Sequence, residues 1–151
     1  MKGIDKIKLA KEAVKIRSII TFGGTEEARN TDQSILQSEG VAALWHRMQE
    51  SRFAYLADEV GMGKTRQAMA VIVLQFLKKP DSRVVVLCPG ETLQEQWKKE
   101  WKSFIETCLT EIDGTLKSFC GNKDIPLTMH HRLSEFAQSL LIDEDRIHLL
   151  R

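Results

Sequence analysis

Apolar positions in this chain recur with helical spacing in some stretches and run together as strand-like blocks in others. Over residues 2–20, Leu9, Ala13, Ile16 and Ile20 recur at spacings of four, three and four, which marks one face of a helix. A second helix is predicted over residues 32–50, with Leu36, Val41, Leu44, Trp45 and Met48 as its apolar stripe. Phe53-Ala54-Tyr55-Leu56-Ala57 is short and nearly all apolar, the pattern of a parallel strand covered on both faces. The run from Gln67 to Leu77 is long enough for a buried helix. Lys78-Lys79 suit the negative end of its dipole, and Pro80 stops it. Arg83-Val84-Val85-Val86-Leu87-Cys88 is rich in β-branched residues and predicts a strand, closed by Pro89-Gly90.

A further helix is predicted from Glu91-Thr92, with Leu93, Trp97, Trp101, Phe104 and Cys108 on one side. Its tryptophans could stack on bases, but they continue the apolar stripe and suit burial better. Beyond it, Asp113-Gly114 reads as a turn, Thr115 to Phe119 as a strand, and Leu133, Phe136, Ala137, Leu140 and Leu141 as a helix. Strand–helix alternation of this kind implies an α/β fold with a parallel sheet and right-handed crossovers.

Composition narrows the class. The chain has 151 residues, 42% hydrophobic and 28% charged, as in a globular domain with its own core. No apolar run reaches membrane-spanning length, and the first residues lack a signal peptide's apolar stretch, so no membrane partner and a cytoplasmic location are expected. The net charge of +1 announces no global basic field, although one basic groove would suffice for nucleic acid. Residues 2–20 carry six Lys/Arg against two acids. A helix of that kind can lie on a membrane or a nucleic acid backbone, but packing on its own domain is favoured. Cys88, Cys108 and Cys120 show no Cys-x-x-Cys spacing. With His130 and His131 they fit no common zinc pattern, so reduced thiols are the expectation.

The chemistry concentrates in Asp58-Glu59-Val60-Gly61-Met62-Gly63-Lys64-Thr65. This is a phosphate-binding loop in which Asp58 stands at the position of the first glycine of Gly-x-x-x-x-Gly-Lys-[Ser/Thr]. Gly61 and Gly63 permit a tight bend and close approach to an anion. Lys64 can reach the β- and γ-phosphates of a nucleoside triphosphate, and Thr65 can place its hydroxyl on Mg²⁺. The loop lies between a predicted strand and a predicted helix, as such a loop requires.

Three stretches together resemble the Swi/Snf-type ATPases, the DNA translocases of helicase superfamily two, and in particular their bacterial RNA-polymerase-associated branch. Leu56 to Thr65 resembles motif I. Val85 to Trp97, with Pro89-Gly90-Glu91-Thr92 at its turn, resembles motif Ia. Gln37-Ser38-Glu39-Gly40-Val41 resembles the adenine-recognising element that precedes the loop. The resemblance implies a RecA-like P-loop fold: an incomplete first helicase lobe over residues 32–151, preceded by an N-terminal helical extension and loop over residues 1–31. It implies that Gln37 reads adenine, that Asp58, Glu59, Gly61, Met62, Gly63, Lys64 and Thr65 form the nucleotide site, with Lys64 and Thr65 as catalytic residues and Thr65 on the metal, and that Pro89, Gly90, Glu91 and Thr92 touch the backbone of double-stranded DNA. A second RecA-like lobe is the implied partner for hydrolysis, so the isolated chain is expected to turn over little ATP. Asp143-Glu144 reads either as the family's acidic metal box or as a solvated helix end. A self-contained P-loop kinase and a non-catalytic interaction module are the alternative functions.

Overall fold

A computed structural model describes residues 6–23, 25, 27–57, 59, 61–109, 127–142 and 146–151. The chain divides into two compact units, residues 1–74 with 106–111, and residues 75–105 with 112–151.

In the first unit, helix α1 (Lys6–Ile19) packs on helix α2 (Asp32–Ser51). Ala13, Ile16 and Ile20 are buried while Lys6, Lys8, Lys11 and Lys15 stay in solvent, as the spacing predicted. A short 3₁₀ turn, Glu27–Asn30, leads to Thr31, whose side chain caps α2 by accepting from the Ser34 amide at 3.3 Å. The helix closes on Arg52, which takes a left-handed conformation (φ 59°) and donates its N–H to the Met48 carbonyl.

The buried face of α2 differs from the expected stripe. It consists of Ser34, Gln37, Ser38, Val41 and Ala42, spaced i, i+3, i+4, i+7 and i+8, whereas Leu36 and Met48 are exposed. Helical periodicity identified the element, but small and hydrogen-bonding side chains hold the inner positions. Ser38 satisfies its hydroxyl within the helix, on the Ile35 carbonyl.

The expectation at Phe53 to Ala57 is also corrected. These residues form no strand. Their burial alternates, with Phe53 and Tyr55 exposed and Ala54 and Leu56 half-buried. An apolar run becomes a strand only when another strand completes its ladder. Helix α3 (Lys64–Lys78) follows, burying Met69, Ala70, Val73 and Phe76 and ending just before Pro80. The first unit is completed by residues 106–111: Leu109 bridges Ile20 in antiparallel sense, and the Thr21 amide donates to the Cys108 carbonyl at 2.6 Å.

The second unit contains β1 (Val84–Leu87), most of α4 (Glu91–Cys108), β2 (Leu127–His130), α5 (Leu133–Ile142) and β3 (Ile147–Leu150). The sheet order is β1-β3-β2 with both pairings parallel, and Ile147 is opposite both Val84 and Leu127. All four residues of the central strand β3 are buried, while Val85 and Leu87 on the edge strand β1 are exposed. Helix α4 buries Trp101 and Phe104, whose rings stack at 6.1 Å; Trp97 is half-buried and Leu93 exposed. The parallel α/β architecture is thus as expected. The turn at Asp113-Gly114, the strand at Thr115 to Phe119, Cys120 and Asp143-Glu144 lie outside the described residues.

Candidate nucleotide-binding site

The loop between α2 and α3 has the geometry that its glycines allow. Gly61 and Gly63 have φ values of +90° and +75°, a region that is costly for residues with a Cβ. The Met62 amide closes a turn on the Glu59 carbonyl at 3.4 Å. Intrahelical bonding in α3 begins with the Gln67 amide on the Gly63 carbonyl, so Lys64 and Thr65 sit in the first turn, where amide N–H groups have no acceptor within the helix. That end of a helix attracts anions through its N–H groups and its dipole. The Lys64 ammonium donates to the Glu59 carbonyl at 2.7 Å, which holds the cation within the loop. Lys64 and Thr65 are half-buried, and Glu59 and Gly61 are exposed. Asp58 lies outside the described residues.

Gln37 comes to this loop from α2. It is buried, and its side-chain amide donates to the Met62 carbonyl at 3.2 Å. A Cβ on Gly63 would run into that same amide nitrogen. Glycine at position 63 is therefore favoured by its backbone angle, and a side chain there would also displace the Gln37 amide. Gln67, from the second turn of α3, donates to the same Met62 oxygen at 3.2 Å and is also buried. Sequence reading placed Gln37 at the site but passed over Gln67 as one position in an apolar helix. The available signal was a long polar side chain inside an otherwise apolar run. Arg66 ties the start of α3 to the Phe22 carbonyl at 2.8 Å. A separate open groove of 520 Å³, lined by one face of α2 and by residues 53–57, includes none of the glycine-loop residues.

The second candidate site belongs to the other unit. Pro89 and Gly90 lead into α4, whose first intrahelical bond runs from the Gln94 amide to the Gly90 carbonyl at 3.2 Å. Pro89, Glu91 and Thr92 are exposed. The Glu91 carboxylate pairs with Arg151 at 2.9 Å. A carboxylate does not itself attract a phosphate, whereas backbone N–H groups at a helix start can. Beneath the turn, the fully buried Gln94 donates to the carbonyls of His130 and Leu149 at 3.0 and 3.1 Å, joining the ends of β2 and β3. His130 and His148 share a hydrogen bond of 3.0 Å beside Ser139 and Phe136. Neither β2, β3 nor this polar cluster was expected from the sequence. Among the described residues no group of three or more His, Cys, Asp or Glu side chains could hold a metal ion, and no helix is long and apolar enough to cross a membrane.

The chain is similar to short stretches of known bacterial proteins. The RNA polymerase-associated protein RapA of Pseudomonas savastanoi pv. phaseolicola (strain 1448A / Race 6) is 42% identical over 69 residues, which is 44% of this chain and 7% of the relative. The protein of the same name from Pseudomonas fluorescens (strain SBW25) is 53% identical over 47 residues, 31% of this chain and 5% of the relative. The chain thus matches only a small part of these much longer proteins. No solved structure matches it significantly. The family model described as "Type III restriction enzyme, res subunit" matches residues 27–150, from the turn before α2 to the end of β3. The chain therefore belongs to that family of helicase-like domains.

Proposed function

We propose that this chain binds Mg·ATP at the Gly61–Thr65 loop and serves as the nucleotide-gripping part of a helicase-like DNA translocase. The observation that carries the reading is the junction of two left-handed glycines, a lysine held within the loop and a helix N-terminus. The residues suit the ligand. A negatively charged phosphate oxygen is a stronger acceptor for the Lys64 ammonium than the neutral Glu59 carbonyl that holds it here. The space around a Cβ on Gly61 is open, so an anion can approach the backbone there. Thr65 would hold Mg²⁺, which when bound neutralises phosphate charge. The Gln37 amide oxygen would accept from the 6-amino group of adenine while its nitrogen stays on Met62.

In this reading Pro89, Gly90, Glu91 and Thr92 meet the backbone of double-stranded DNA through main-chain N–H groups, a contact blind to sequence and suited to tracking. A second RecA-like lobe completes the hydrolytic site, so the chain alone binds nucleotide with little turnover. A titration with a fluorescent ATP analogue and Mg²⁺ tests the proposal. Lys64→Ala removes a charge-assisted bond and should weaken binding about 10- to 150-fold. Equal affinity in the two proteins, or no binding by the wild type, overturns the nucleotide reading. Steady DNA-stimulated turnover by the chain alone, abolished by Lys64→Ala, overturns the need for a partner lobe.

A further inference from the structure

We propose that Gln67 is a positioning residue for the phosphate loop, acting with Gln37 as a two-sided clamp on the Met62 carbonyl. The inference rests on reading this loop as the nucleotide site. Gln67 is only 2% exposed, in a helix whose neighbouring positions Met69, Ala70 and Val73 are fully buried and apolar. A long amide in such a place is costly unless hydrogen-bonded. Its nitrogen donates to Met62 at 3.2 Å, and the Gln37 nitrogen reaches the same oxygen at 3.2 Å. A carbonyl oxygen has two lone pairs and can accept both.

The carbonyl of Met62 and the N–H of Gly63 belong to one peptide unit, and no cis peptide bond is present among the described residues. In a trans peptide these two groups point in opposite directions. Holding the oxygen against the two glutamines therefore turns the Gly63 N–H away from them, and fixes the Met62–Gly63 peptide, one unit before the peptide that leads into Lys64. Each glutamine enters from a different helix, Gln37 from α2 and Gln67 from α3. The pair sets the loop's shape before any phosphate arrives, which lowers the ordering cost of binding.

Gly40 supplies an independent observation. It lies inside α2, where glycine is less favourable than alanine. A Cβ at Gly40 would collide with the amide oxygen of Gln67. The missing side chain thus makes room for the clamp. The segment Gln37-Ser38-Glu39-Gly40 serves the loop at both ends: Gln37 grips Met62, and Gly40 lets Gln67 do the same.

Two variants test this. Gln67→Met keeps length and helix preference but removes the donor. Gly40→Ala leaves the loop and both glutamines in place, suits the helix, and pushes aside the flexible end of Gln67. Both should weaken Mg·ATP, read with the fluorescent analogue, about three- to tenfold with thermal unfolding little changed. Both should also speed amide hydrogen exchange at residues 62–64 in nucleotide-free protein, which a merely space-filling Gln67 would not do. Wild-type exchange at these amides in both variants overturns the clamp. So does wild-type affinity in both when Lys64→Ala has lost binding. If the wild type binds no nucleotide, the functional reading fails, and the exchange measurement still decides the clamp.

Discussion

Alanine at Gly63 should damage the site more than alanine at Gly61, although both glycines have left-handed backbone angles. At φ +75° or +90° a Cβ costs about 1–2 kcal/mol. At Gly61 nothing lies within 4 Å of the added atom, so the backbone term is the whole effect. At Gly63 the added atom meets the Gln37 amide and displaces it from the Met62 carbonyl, removing a hydrogen bond worth about 1 kcal/mol. The expected losses are about 1–2 kcal/mol for Gly61→Ala and about 2–3 kcal/mol for Gly63→Ala. As Mg·ATP affinities these are about 5- to 30-fold and about 30- to 150-fold. A loop that relaxes in the free protein must return to its native shape when it binds, so the strain appears in the affinity. Fluorescence titration of the three proteins, with thermal unfolding as a check on folding, measures it. Equal losses, or a larger one at Gly61, would refute the role given to the Gln37 contact.

Four further outcomes follow from the packing and the titratable groups. Phe104→Ala empties a buried aromatic position and should lower stability by about 3–5 kcal/mol in urea unfolding, whereas Leu36→Ala, at an exposed position, should change it by less than about 0.5 kcal/mol. Gln94→Leu leaves the carbonyls of His130 and Leu149 without that donor, and should cost about 1–3 kcal/mol by the same assay, with faster amide exchange in β2 and β3. The Glu135 carboxylate accepts from the His131 and Arg132 amides; the His131 bond is the largest cause holding its pKa below the ordinary glutamate value, with desolvation opposing it. Its cap at the start of α5 is present above the unfolded glutamate pKa and is lost as pH falls through the lower folded value. An NMR titration should place its midpoint below that of a model glutamate. Burial pushes the Cys88 thiol pKa up, so at pH 8 it should react with a thiol reagent far more slowly than a free cysteine, and unfolding should abolish the difference.

The helices were legible because their signals are local. Lys78-Lys79-Pro80 closes α3 where expected, and Pro89-Gly90 separates β1 from α4. The α/β class followed from that alternation. Strands β2 and β3, four residues each, were missed because so short a run carries almost no periodicity, and their ladders depend on distant residues. Phe53 to Ala57 failed in the opposite way: its apolar composition suggested a strand, but pairing is a property of two segments. In the glycine loop, Gly61, Gly63 and Lys64 were visible from spacing, and Gln37 beside it from resemblance. Gln67 and Gln94 were not, because what keeps each buried is a carbonyl that only the folded chain brings to it.

The central claim, that the Gly61–Thr65 loop grips a triphosphate, is tested most directly by amide hydrogen exchange with and without Mg·ATP. The loop and the first turn of α3, residues 61–66, should exchange more slowly when nucleotide is present, and Lys64→Ala should abolish the change. Unaltered exchange in this segment at saturating Mg·ATP, or protection that survives Lys64→Ala in full, would contradict the account.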